Sequence, residues 1–134
     1  MINPKSETLN PKQYQSTKSP KSKPYDLEER TLQYAKLVIQ YCHKLPKTVT
    51  NLEIVKQLVR SAGSVGANYI EANESLGKKD FFLRIKICRK EAKESRYWLN
   101  LSESRPENIS EKESLIQEST ELMKIFGSII EKGK

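Results

Sequence analysis

Long apolar runs are missing from this chain. No stretch approaches the roughly 18 consecutive apolar residues that a membrane-spanning helix needs. The opening MINPKSETLNPKQYQ also lacks the apolar segment of a secretory signal, so the cytoplasm is the expected location. Histidine is nearly absent. His43 stands alone, with no second histidine and no ExxH partner, which leaves no basis for a zinc or di-iron site. Cysteine is scarce too. Cys42 and Cys88 lie far apart without CxxC spacing, in helical and partly apolar stretches, so buried free thiols are expected rather than a disulfide. No serine sits in GxSxG or beside a histidine base. Glu71 and Glu74 are three apart, a pairing that helical surfaces commonly carry. The residues therefore present no catalytic constellation, and no enzyme, cofactor or metal is expected.

Glycine is also sparse, and two of the five glycines fall in GSVGANYIEANES, residues 63–75. A phosphate-cradling loop would need a strand before it and a helix after it, because the amides of the turn make the contacts. The stretch lacks the GK[ST] ending of a P-loop and the third glycine of a dinucleotide fingerprint, and it lies inside an unbroken helical rhythm. Within a helix each glycine costs about 1 kcal/mol relative to alanine. A close helix approach or a local kink would account for them.

What the chain does have is charge and helical periodicity. Charged residues make up 31% of its 134 residues and the net charge is +7, which favours anionic partners such as nucleic acid. The length suits one domain with a single modest core. Residues 1–24 hold four prolines, five lysines, four serines and one acid, Glu7, without apolar rhythm. They read as a flexible basic tail that Tyr14 and Tyr25 can anchor transiently.

From residue 25 onward the spacing predicts four helices in an all-α, antiparallel up-down bundle. Leu27, Thr31, Tyr34, Val38, Tyr41 and Leu45 recur at intervals of 4 and 3, with Asp26 as cap and Leu45-Pro46 as stop. A second helix is expected from Leu52 to Leu76, capped by Thr50 or Asn51 and stopped by Gly77. Its apolar side carries Val55, Leu58, Val59, Ala62, Val65, Gly66, Tyr69 and Leu76. The third covers roughly Lys79 to Glu103, with Phe81, Ile85, Cys88, Ala92, Ser95 and Leu99 inward, before SRPEN breaks it. Ser110 with Glu113 reads as a capping box for the fourth, which carries Leu115, Ser119, Leu122, Phe126 and Ile129, doubled by Ile116, Met123 and Ile130.

Two surfaces are candidates for function. The third helix contains eight basic residues, and Lys79, Lys86, Lys90, Lys93 and the ring of Tyr97 gather on one outward stripe. A row of ammonium groups with a stacking ring can follow a phosphate backbone; lysines are equally the ordinary filling of a solvated face. On the second helix, Ser61, Ser64, Asn68, Glu71 and Ser75 form a small polar strip directed away from the core, either solvated or in contact with a protein. A flank of Arg84, Ile87, Glu91 and Trp98 on the third helix resembles an interface, or shares a polar network with Glu94.

The stretch SGSVGANYIEANES, followed by KKDFFLRIKICRKEAKESRYWLNL, resembles the 23S rRNA intervening-sequence protein family over roughly residues 25–132. The usual pattern there is an arginine with small residues, then S-I-x-x-N-I-x-E-G, then a basic helix opening with an aromatic. Arg60, Ser64, Val65, Asn68 and Glu71 match it, whereas Gly66, Tyr69 and Ala72 replace the usual proline, isoleucine and glycine. The resemblance implies a left-handed bundle that assembles into a ring, typically a homopentamer, without enzymatic activity. It also implies an RNA-related role, since some members are encoded within 23S rRNA genes. Accessory proteins of diversity-generating retroelements are similar in fold and ring form, and engage nucleic acid and a reverse transcriptase through a positive surface. By that analogy the expected partners are further copies of the chain, RNA or DNA, and a protein such as a reverse transcriptase, with no membrane. The competing expectation is a protein–protein adaptor whose charge serves solubility alone.

Overall fold

The computed structural model describes residues 26–134, so the basic tail, Tyr14 and Tyr25 lie outside the described residues. Four helices follow in order: α1 (Leu27–His43), α2 (Val49–Asn73), α3 (Lys78–Leu101) and α4 (Ile109–Lys132). A short 3-10 turn, Pro106–Asn108, leads into α4, and no strand occurs among the described residues.

Local chemistry sets most of the boundaries. The Asp26 carboxylate accepts from the Glu29 amide at 3.2 Å, and Glu28 and Glu29 in the first turn complement the helix dipole. Thr48, and not Thr50 or Asn51, caps α2 by accepting from the Asn51 amide at 3.1 Å, so the helix starts at Val49, three residues earlier than expected. Asn51 is inside the helix and buried. Its Nδ2 donates to the Pro46 carbonyl at 2.9 Å and the Glu103 carbonyl at 3.1 Å, and its Oδ1 accepts from the Glu103 amide at 3.0 Å. That side chain ties the α1–α2 loop to the chain leaving α3.

Three further expectations about boundaries differ. The second helix stops at Asn73, and Leu76 is fully exposed although it continues the apolar angle of the helix. The chain must reverse within four residues to start α3, and a residue in that reversal cannot reach the core. Gly77 accordingly is the N-cap of α3 and not the stop of α2. At the fourth helix Ser110 and Glu113 form no capping box. Pro106 already sets helical φ in the 3-10 turn, so Ser110 is inside the helix when the box would need it outside.

Each helix packs antiparallel against its neighbours, with α2 and α4 on either side of α3 and α1 closing the fourth corner. The core contains Tyr34, Val38, Tyr41, Leu58, Val65, Ile85, Cys88, Leu99, Leu122 and Phe126, all essentially inaccessible. Burying each large apolar side chain contributes about 1.5–3 kcal/mol. Three buried hydroxyl pairs cross the helix interfaces: Tyr34 with Ser119 at 2.6 Å, Tyr41 with Ser102 at 2.6 Å, and Ser95 donating to Ser61 at 2.9 Å. Pairing satisfies these groups without water, which burial would otherwise make costly. Ser61 therefore belongs to the core, contrary to the outward strip expected for it. Val59 differs in the opposite sense: expected inside, it is 37% exposed.

Candidate nucleic-acid interface

The outward face of α3 is fixed by its inward one. Ile85, Cys88, Ala92, Ser95 and Leu99 are buried, so positions on the far side of the same helix must face solvent. Lys79, Lys86, Lys90 and Lys93 are all exposed there, and Tyr97 is 57% exposed. None of these four lysines forms an ion pair among the described residues. Glu91 and Glu94, two of the three acids on α3, are engaged elsewhere. Arg60 Nη2 of α2 donates to Glu91 Oε1 at 3.2 Å and to Glu94 Oε2 at 2.6 Å. Arg60 of α2 thus draws two of the three acids of α3 away from the lysine stripe, the third being Asp80 in the first turn.

Tyr97 is held against Trp98, with ring centroids 5.0 Å apart and planes at 76°, an edge-to-face contact. Trp98 in turn donates through Nε1 to Glu94 Oε2 at 2.9 Å. That hydrogen bond, followed by the one from Arg60 and its positive charge, holds the Glu94 carboxyl below its ordinary range, while partial burial opposes the shift. The Arg60 guanidinium is raised reciprocally, first by its hydrogen bond to Glu94 and then by the one to Glu91.

The polar residues singled out on α2 and α3 fall into two groups along the α2–α3 seam. Arg60, Glu91, Glu94 and Trp98 form the first. In the second, Arg84 Nη1 donates to Asn68 Oδ1 at 2.9 Å, and Asn68 Nδ2 donates to the Ser64 carbonyl at 2.9 Å. Arg84 and Glu91 occupy separate groups. Glu71 joins neither: its side chain is exposed, and only its backbone carbonyl accepts, from Ser75 Oγ at 3.1 Å.

Other contacts had no local signal. Arg30 makes a two-pronged pair with Glu118 across α1 and α4, at 2.7 and 2.9 Å, between residues 88 apart in sequence. Arg96 of α3 reaches Thr120 of α4 at 3.1 Å. A crevice of about 620 Å³ opens at the end of the bundle, lined by His43, Lys44, Lys47, Arg105 and Glu107 among others, away from the seam. An apolar groove of about 300 Å³ runs between α1 and α2, lined by Ile39, Cys42, Leu52, Val55 and Val59 among others. Cys42 lies half-buried there and burial pushes its thiol up to about 11; Cys88, in the core, is pushed up to about 12. No group of three or more His, Cys, Asp and Glu is placed to hold a metal ion among the described residues. No helix among them is long and apolar enough to cross a membrane.

Comparison with known proteins matches residues 23–128 to the family described as 23S rRNA-intervening sequence protein. No curated protein matches the chain. A similar solved structure is that of a protein of unknown function from the S23 ribosomal protein family of Bacteroides thetaiotaomicron VPI-5482. It is 31% identical, superposes with a TM-score of 0.68, and the match covers 78% of this chain and 97% of that one. With the bundle, the α2 motif and the basic α3 all in place, the chain belongs to the 23S rRNA-intervening sequence protein family.

Proposed function

We propose that this protein is a non-enzymatic, homo-oligomeric helical bundle that binds RNA or another nucleic acid through the lysine row of α3. The observation that carries this reading is that Lys79, Lys86, Lys90 and Lys93 form no ion pair among the described residues and stand beside an exposed ring, while Arg60 engages Glu91 and Glu94, two of the three acids of α3. Ammonium groups free of carboxylates release condensed counterions on meeting phosphates, which favours binding and makes it salt-dependent. Self-association is supported by the apolar groove between α1 and α2, lined in part by Ile39, Leu52 and Val59, each between 37% and 51% exposed. The family resemblance favours a pentameric ring.

Light scattering on the full chain, with a fluorescent RNA titrated at several salt concentrations, tests both halves. The expected results are a mass several times that of one chain and an affinity that falls steeply with salt. Replacing Lys86, Lys90 and Lys93 by glutamate should abolish RNA binding and leave the mass unchanged. A monomer at micromolar concentration would sink the oligomer; no RNA binding at low salt would sink the nucleic-acid half. The same groove also suits a protein adaptor, which is the second reading. Capture of one protein partner after nuclease treatment, together with failure to bind RNA, would favour it.

A further inference from the structure

We infer that the α3 row is a site for single-stranded nucleic acid, with one unpaired base stacked on Tyr97. This rests on the nucleic-acid reading above and narrows it to one class of strand. The row is straight. From Lys79 to Tyr97 it rises through about 27 Å at 1.5 Å per residue, and Lys86, Lys90, Lys93 and Tyr97 follow one another at about 4.5–6 Å. A single strand, at about 3.4 Å per stacked nucleotide and more when stretched, can run beside that whole length with eight nucleotides or fewer. A duplex backbone winds about its own axis and so meets a straight row only where its strands cross it, not along the whole length.

The shape of the bundle points the same way. α3 packs against α2 on one side and α4 on the other, so it is a ridge in a wider surface and not a free rod. The major groove of A-form RNA is deep and narrow, and a helix embedded between two others cannot enter it. Tyr97 supplies the complementary argument. Its ring is 57% exposed and packed against Trp98 with the two planes at 76°, which leaves more than half of the residue in contact with solvent. An aromatic ring stacks on a base whose face is exposed, which the unstacked bases of a single strand offer along its length and a duplex interior does not. Leu83 and Leu101, 56% and 46% exposed on the same outward side, extend the apolar contacts available to further unpaired bases.

The test uses the full-length protein with a labelled 20-nucleotide oligouridylate and an RNA duplex of the same length, read by fluorescence anisotropy at low salt. Trp98 is the only tryptophan of the chain and touches Tyr97, so its emission gives a second readout. The single strand is expected to bind at least about tenfold more tightly and to change Trp98 emission, while the duplex leaves that emission unaltered. Tyr97→Leu should weaken single-strand binding by roughly 5- to 100-fold, the range of one lost stack, and Tyr97→Phe should retain it. Equal or tighter duplex binding, or a Tyr97→Leu variant that binds the single strand normally, overturns the inference while leaving salt-dependent nucleic-acid binding in place. Failure of both probes to bind at low salt removes the broader reading as well.

Discussion

Gly63 and Gly66 stand three residues apart in the same helix, yet replacing each by alanine should move stability in opposite directions. A methyl group at Gly63 would meet nothing within 4 Å. At Gly66 it would lie 2.8 Å from Thr31 Oγ1 and 3.2 Å from Thr31 Cβ. Thr31 cannot easily yield. It is buried, its β-branched side chain is stiff in a helix, and its hydroxyl donates to the Leu27 carbonyl at 2.7 Å. Gly→Ala in a helix interior gains about 1 kcal/mol in both variants. Overpacking against Thr31 costs about 1–3 kcal/mol in one of them. Gly63→Ala should therefore be more stable than the parent by about 1 kcal/mol. Gly66→Ala should range from neutral to about 2 kcal/mol less stable. Because the helix-propensity gain is shared, the difference between the variants isolates the contact with Thr31. Urea unfolding followed by circular dichroism, at one protein concentration throughout, measures it. In a Thr31→Ala background, which removes the hydroxyl, the gap should narrow. Equal stabilities for the two variants would refute the close-approach account of Gly66. A destabilised Gly63→Ala would show that something outside this chain presses on α2 there.

Two further outcomes follow from the polar groups. The carboxyl of Glu94 is held below its ordinary range, chiefly by Trp98 and then Arg60, so its contribution is present above about pH 4.3 and fades as pH falls through its lowered folded value. Its side chain is 33% exposed, so Glu94→Gln should cost under about 1 kcal/mol at pH 7, and the stability curves of variant and parent should converge as the pH falls below the lowered value of Glu94; an offset that stays constant as the pH falls would contradict the assignment. Asn51→Ala removes a buried side chain that satisfies three backbone groups of two loops, and should lower unfolding stability by about 1–3 kcal/mol. A loss below about 0.5 kcal/mol in a urea titration would mean that those groups find other partners.

Much of the fold is legible in one dimension because a helix repeats its inward face every three or four residues. Tyr34, Val38, Leu58, Ile85, Leu122 and Phe126 announce themselves by that spacing, and Asp26 is recognisable as a cap because capping is local. The lysine row is readable for the same reason, since positions opposite a buried stripe must face out. Sequence could not place Leu76, which keeps the helical angle after the chain has begun to turn. Nor could it place Ser61, whose outward polar character gives way to a buried hydroxyl pair with Ser95 on another helix.

The sequence by itself thus determined the number of helices, their inward faces and the excess of positive charge, all of which depend on neighbours a few residues away. The tertiary structure decided which charges survive. Arg60 of α2 comes to lie over Glu91 and Glu94 of α3, more than thirty residues along the chain, and among the described residues no ion pair forms at the lysine row. It also separated two glycines that look alike in sequence, because Thr31 of α1 approaches Gly66 while the space beside Gly63 stays open. Pairing and approach depend on how helices dock, and docking brings together residues that no local pattern relates.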